Sequence, residues 1–251
     1  MSARPPRQST VTALGLCLVA VLALALWSQV SRRTASEVGA AHKADHADVL
    51  EVGRDYPAAL PDAAAQHALV ATPLPDNWDG RRPDYTGYVW YRIEAPADLP
   101  QRTRPAIYLP AAGMNAEVWL RGQRVGGAGR MQMPPSRHYY TPQLIELPKS
   151  LWAVSDRPEP LWVLVVGYPG YRSGLGSVWL GDHADLYPAW RWRSFWQNEG
   201  TSITSVINLT LAVLVLVIGR RDNMHVAYRW FGLAALVWAL RNLIYVVQEP
   251  P

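Results

Sequence analysis

Apolar residues follow distinct patterns along this chain, and each pattern predicts a different kind of element. At the N-terminus Arg4 and Arg7 precede the apolar run Val11 to Trp27, the charge-then-apolar order of a secretory signal or signal anchor. Ala23-Leu24-Ala25 and Val38-Gly39-Ala40 are both usable cleavage points, so removal and retention as an anchor stay equally open. Ser31 to His46 is polar and alanine-rich without a strand pattern; it predicts linker or fraying helix, with order starting between Asp48 and Leu69. From Leu74 onward, short apolar and aromatic runs alternate with Pro and Gly, the pattern of strands. The predicted strands are Gly87 to Ile93, Ala106 to Leu109, Ala116 to Leu120, Gln143 to Leu147, Leu161 to Val166 and Ser177 to Leu180. Arg121-Gly122-Gln123 turns the third of these back into Arg124-Val125-Gly126 as a hairpin. Helical periodicity is nearly absent across this stretch, so the predicted fold class is mostly β, an antiparallel sandwich.

Two long apolar stretches follow, Thr201 to Gly219 and Val226 to Val247, separated by the six residues Arg220 to His225. Each matches the roughly 20 helical residues that cross a ~30 Å hydrocarbon layer. Arg220 and Arg221 in the short connection favour its cytoplasmic placement, which puts the preceding domain outside the cytoplasm. A buried helix can also be uniformly apolar, but two joined by a basic hairpin favour transmembrane spans. The predicted organisation is a signal peptide or anchor (1–30), a linker with first strands (31–70), an exported β domain (71–186), a juxtamembrane aromatic collar (187–200), a span (201–219), a cytoplasmic loop (220–225) and a returning span (226–247). Residues 248–251 are then expected to be a truncated end.

Composition changes this picture in one respect. A net charge of +4 and a pI near 9.3 suggest nucleic acid, but residues 31–190 carry 16 Lys and Arg against 17 Asp and Glu. The excess sits at the membrane-proximal ends, as a topology signal and not a phosphate-binding surface. Cys17, the single cysteine, lies in the N-terminal apolar run. The exported part therefore uses neither disulfides nor cysteine metal sites.

The run Gly87-Tyr88-Val89-Trp90-Tyr91-Arg92, followed by Glu117-Val118-Trp119-Leu120-Arg121-Gly122-Gln123-Arg124-Val125-Gly126, resembles the galactose-binding-like jelly roll, as in the sugar-binding domain of family 2 glycoside hydrolases. Arg121 stands where that family usually has Asn. The resemblance covers Leu74 to Leu186. Together with export and the later spans, the chain also resembles the front end of bacterial seven-transmembrane receptors with diverse intracellular signalling modules. That resemblance implies a periplasmic jelly roll leading into a seven-helix unit, and then a histidine kinase or diguanylate cyclase output beyond Pro251. It implies a sensor of the bacterial inner membrane with residues 31–200 periplasmic. The alternative is a membrane-tethered carbohydrate-active enzyme or its sugar-binding module, and a structural envelope protein is a third reading.

The chain itself is expected to be no enzyme, since its carboxylates form no motif. Asp76, Asp79 and Asp84 cluster around Trp78, but their spacing matches no calcium loop and such residues are ordinary turn formers. His67, His138 and His183 are scattered, so no metal and no cofactor are expected. Sugar-like ligands are held by aromatic faces and multidentate donors, which makes Trp78, Tyr85, Arg130, Arg137, His138, Tyr139, Tyr171 and Arg172 the candidate contacts. Trp90 and Trp119 lie within strands and belong to the core. Tyr187, Trp190, Trp192, Phe195 and Trp196 form the collar, with Arg191 and Arg193 between them. Trp190, Trp192 and Trp196, with Ser205, Asn208, Arg241 and Asn242 in the spans, are the candidate transmission residues; a polar stripe in lipid should face another helix. The partners expected are a membrane and a small-molecule or carbohydrate ligand, not nucleic acid, and a homodimer is compatible.

Overall fold

The computed structural model describes residues 38, 40–136, 138, 141–152, 159–171, 173–221 and 226–246. The N-terminal apolar run, with Cys17 and the first cleavage point, lies outside the described residues. Contacts group the chain into two units, Met1–Gly39 and Ala40–Pro251, and every element below belongs to the second.

The strands are β1 (His42–Ala44), β2 (His46–Gly53), β3 (Val70–Pro73), β4 (Asp76–Asn77), β5 (Gly87–Ile93), β6 (Pro105–Leu109), β7 (Asn115–Leu120), β8 (Gln123–Ala128), β9 (Gln143–Glu146), β10 (Leu161–Gly167), β11 (Gly174–Leu175) and β12 (Val178–Asp182). They pair antiparallel into a six-stranded sheet ordered β3-β2-β5-β10-β7-β8, a four-stranded sheet ordered β1-β12-β6-β9, and the small pair β11-β4. One buried cluster draws on both larger sheets, with Val89, Tyr91 and Ile93 of β5 and Val163 and Val165 of β10 joined by Ile107, Leu109 and Leu180 from β6 and β12. A second cluster covers the opposite face of the six-stranded sheet: Trp90, Trp119 and Trp162 meet edge to face at 5.7 and 6.1 Å, under Leu50, Tyr56, Leu60 and Leu69. Strand β10 is thus buried on both faces, which is why Leu161 to Val166 reads as an unbroken apolar run instead of an alternating one.

The hairpin β7-β8 closes on a two-residue turn, with Leu120 paired to Gln123. Arg121 has φ 52° and Gly122 φ 77°, the double positive φ of the turn that matches strand twist. Order starts earlier than the sequence predicts. His42–Ala44 and His46–Gly53 are strands, because backbone pairing with β12 and β5 requires few apolar side chains; Ala44, Ala47 and Val49 reach the first core cluster and Leu50 packs on the second.

Among the described residues, the α-helices that follow or interrupt the strands are α1 (Ala63–Gln66), α2 (Trp78–Arg81), α3 (His183–Ser194), α4 (Gly200–Arg221) and α5 (Val226–Val246), with a π-helical turn at Phe195–Glu199 between α3 and α4. Helix α3 begins directly at the end of β12. Asp182 caps it, accepting from the Ala184 N–H at 3.1 Å, while its other oxygen accepts from the Arg104 N–H at 3.0 Å. These bonds hold the Asp182 carboxyl below its ordinary range. The predicted collar is therefore a helix docked on the domain: Leu186 and Ala189 are buried, and Trp190 donates from its indole to the Pro142 carbonyl at 3.0 Å.

Among the described residues, no helix is long and apolar enough to cross a membrane. The stretches Thr201 to Gly219 and Val226 to Val247 fall on α4 and α5, which pack against each other. Small residues line their contact: Ser205, Ala212 and Ala239 are buried, and a Cβ on Gly232 would lie 2.7 Å from Leu216 Cγ. The outward side chains are apolar and exposed, among them Val206, Val213, Val217, Trp230, Phe231 and Val237.

Candidate functional site

The rim of the β domain is built by β4, α2 and β11. Gly174 pairs with Asn77 at a φ of 135°, and a Cβ there would lie 2.1 Å from the Asp76 carbonyl oxygen, so only glycine permits this approach. Asn77 then caps α2 by accepting from the Asp79 N–H at 3.1 Å, and Trp78 donates its backbone N–H to the Ser173 carbonyl at 3.1 Å. The Trp78 ring lies over Gly167, where a Cβ would come within 2.2 Å of it.

Behind the rim is a chain of buried polar contacts. Trp78 Nε1 donates to Tyr91 Oη at 2.7 Å, and Tyr91 donates to Asp76 Oδ2 at 2.7 Å. Arg82 donates to the same oxygen at 2.7 Å and to Glu51 Oε1 at 2.6 Å, with its guanidinium 5.9 Å from the Trp78 ring centroid. Asp76 Oδ1 has no hydrogen-bond partner; Arg81 Nε approaches it at 3.7 Å. Burial pushes the Tyr91 hydroxyl far above the usual phenol range, and the Asp76 charge adds to this. Burial alone would lower Arg82, but its bond to Glu51 and the Asp76 charge outweigh that and raise it. The network therefore holds a fixed cation beside an acceptor carboxylate.

Two clefts open beside this network. The first, about 330 Å³, is walled by Arg82, Asp84, Tyr85, Tyr168 and Tyr171, with Trp78 at its base. Tyr168 and Tyr171 flank the turn Tyr168-Pro169-Gly170-Tyr171, their ring centroids 6.3 Å apart and tilted by 47°. Tyr168 is exposed, whereas Tyr171 is half-buried against the second core cluster. Tyr85 is locked: its hydroxyl accepts from the Gly53 N–H and donates to the Tyr88 carbonyl, each at 3.1 Å. The second cleft, about 590 Å³, lies between the rim and the helical stem formed by α3, the π turn and the α4-α5 pair, and is lined by Arg193 and Gln197 of the stem and by Asn77 and Asp79 of the rim.

Of the candidate ligand contacts, Trp78, Tyr85 and Tyr171 converge on the first cleft. Trp78 serves as its buried base, not as an exposed stacking face, because its indole is spent on Tyr91. Arg130 and His138 lie on a different loop: Arg130 donates to the Pro134 carbonyl at 3.2 Å, and His138 Nδ1 sits 3.1 Å from Ser136 Oγ. Arg137, Tyr139 and Arg172 lie outside the described residues. Tyr168 and Arg82 were missed by sequence reasoning. The Tyr-Pro-Gly-Tyr turn was a usable signal for the first, but Arg82 depends on Glu51, 31 positions away. Asp76, Asp79 and Asp84 do not converge, since Asp76 turns inward to Arg82; among the described residues no group of acidic, His or Cys side chains is placed to hold a metal.

The transmission candidates are spread along the stem. Trp190 is docked on Pro142, and Trp192 packs edge to face on Trp196 at 5.7 Å, with Trp196 half exposed. Arg191 bridges the π turn to Glu199 at 2.5 Å. Ser205 is buried and Asn208 half-buried on the α4 face turned to α5. Arg241 is exposed, its guanidinium 5.1 Å from the Trp238 ring centroid. Asn242 belongs to α5, its side chain outside those described.

No protein-family model matches the chain, and no curated protein matches it. Solved structures similar to it include a calcium-binding mutant of Bacteroides uniformis beta-glucuronidase 2, at 21% identity and a TM-score of 0.42 over 56% of this chain and 17% of that one. Parabacteroides merdae beta-glucuronidase matches at 19% identity and 0.42, over 56% and 22%. The GH2 beta-galacturonidase of Eisenbergiella tayi, bound to galacturonate, matches at 17% identity and 0.38, over 57% and 24%. This chain spans less than a quarter of the length of the first two and 24% of the third. Likeness at this level carries no argument about activity.

Proposed function

We propose that this chain is a non-catalytic sugar-binding domain, a jelly roll of the galactose-binding-like kind, held at a bacterial membrane by its helical hairpin. The observation that carries the reading is the first cleft. Its volume lies within the range of small-molecule sites, about 300–1,000 Å³, and the tyrosines of one turn offer it aromatic surface beside fixed polar groups. Aromatic faces suit the C–H surface of a sugar ring, and charged or polar side chains suit its hydroxyls. The buried carboxylates Asp76 and Glu117 serve the fold: Asp76 is bound to Arg82 and Tyr91, and Glu117 to Arg124 at 2.9 Å and Tyr56 at 3.0 Å. Membrane attachment is supported by the apolar outer faces of α4 and α5, which water would leave unpartnered.

A specific observation favours a second reading, in which the domain is a sensor input. The chain passes from β12 through α3 and the π turn into α4 without an intervening loop, so a ligand-driven shift of the rim has a helical route toward the hairpin.

Calorimetric titration of the full chain in detergent with methyl β-D-galactoside and methyl β-D-glucoside tests the first reading. Binding should weaken about tenfold or more when Tyr168 and Tyr171 are both replaced by Ala, a loss near 1.4 kcal/mol. Affinity unchanged by that double substitution would remove the cleft from the site.

A further inference from the structure

We propose that the second cleft is a separate binding site, and that it takes a small zwitterion of the α-amino acid class, clasped between the rim of the β domain and the helical stem. The inference does not depend on the sugar reading. The cleft holds about 590 Å³, ample for such a molecule. One wall is the β4-α2 corner. There Asn77 uses its side-chain oxygen to accept the Asp79 N–H, which leaves the Asp79 carboxylate on the exposed surface and the Asn77 amide as a donor. The opposite wall is Arg193, in the last turn of α3, and Gln197, in the π turn. They are four positions apart and so share a face of the stem. Both have interactions of their own within the protein, and a guanidinium with five N–H groups can serve a ligand as well. Leu175, Ala112 and Pro75 supply an apolar floor between the walls.

The charge arrangement selects the ligand class. A carboxylate on the domain wall fits an ammonium, and a guanidinium with an amide on the stem wall fits a carboxylate, in the paired geometry that Arg favours. An uncharged sugar can hydrogen-bond to these walls but balances neither charge. A molecule bridging these walls would fix the rim against the stem, since Asp79 and Ser173 line both clefts.

The test is calorimetric titration of the full chain in detergent micelles with L-leucine and L-glutamine, each also as its methyl ester and as its N-acetyl derivative. The free amino acids should bind about tenfold or more tighter than either blocked form. Arg193→Gln should remove that advantage over the ester while leaving ester binding unchanged, and Asp79→Asn should do the same against the N-acetyl form. Arg193→Lys, which keeps the charge, should retain part of the affinity and shows that loss in Arg193→Gln is not misfolding. Tyr168→Ala should change none of these values, which separates this site from the sugar cleft. Absence of amino acid binding at millimolar concentration would overturn the proposal. So would an Arg193→Gln effect of equal size on acid and ester, or a galactoside affinity that depends on Arg193 and not on Tyr168.

Discussion

Replacing Asp76 by Ala should be among the most damaging single changes in the β domain. The carboxylate side chain is fully buried and its partner Arg82 is 12% exposed. Its loss strands the Arg82 charge on that side and leaves the Tyr91 hydroxyl without its acceptor. Breaking a buried pair by removing one partner costs about 3–5 kcal/mol. Glu51 still holds Arg82 Nε at 2.6 Å, which places the expected cost near the lower end, about 3 kcal/mol. Tyr91→Phe removes only the hydroxyl that links Asp76 to Trp78, and should cost about 1–3 kcal/mol. At roughly 2–4 °C per kcal/mol for a chain of this size, Asp76→Ala should lower Tm by about 6–12 °C. Urea denaturation followed by tryptophan fluorescence measures both variants, with Trp78 reporting from within the network. Because the two residues share one bond, the double variant should cost less than the sum of the singles. An Asp76→Ala variant within about 1 kcal/mol of wild type, or a simply additive double variant, would show that the buried network does not carry this stability.

Stability should fall as pH rises from about 10 to 12, and Tyr56→Phe should flatten part of that slope. Burial first, then the hydrogen bond and charge of Glu117, push the Tyr56 hydroxyl from 10.0 up to about 12. The folded state thus keeps a proton that the unfolded chain gives up, and the stabilisation is complete below pH 10 and lost toward 12; urea midpoints across that range would show it. In the hairpin, Gly232→Leu should overpack against Leu216 and cost about 1–3 kcal/mol, read as a lower Tm in detergent, whereas Leu233→Ala on the exposed face should be neutral.

The β character was legible because the central strands carry their apolar residues in short runs with glycine and proline at the ends; Gly87 to Ile93 appears in the structure with the predicted bounds. The peripheral strands were not. His42–Ala44 and Asp76–Asn77 are held by backbone pairing with residues more than a hundred and nearly a hundred positions away, and period-two hydrophobicity is too short there to register. The cleft was half legible. Aromatic residues between strands marked Tyr85 and Tyr171, but nothing local distinguishes Trp78, which is drawn inward by Tyr91 and by the space over Gly167. The collar was legible in composition but not in conformation, since its tryptophans suit a membrane interface and a docked helix equally well.

The π turn at Phe195–Glu199 makes the relation between domain and hairpin a matter of counting. A π turn spends one residue more than an α turn on about the same rotation, so deleting one position here would let it tighten into α-helix and leave the faces of α4 nearly where they are. Inserting one finds no such slack: each added residue of a helix turns its successors by about 100°, and every face of α4 would rotate by about that angle as seen from the β domain. The segment is therefore tolerant of substitution and of one deletion, while an insertion would point the small-residue seam, and everything that packs on it, in a new direction.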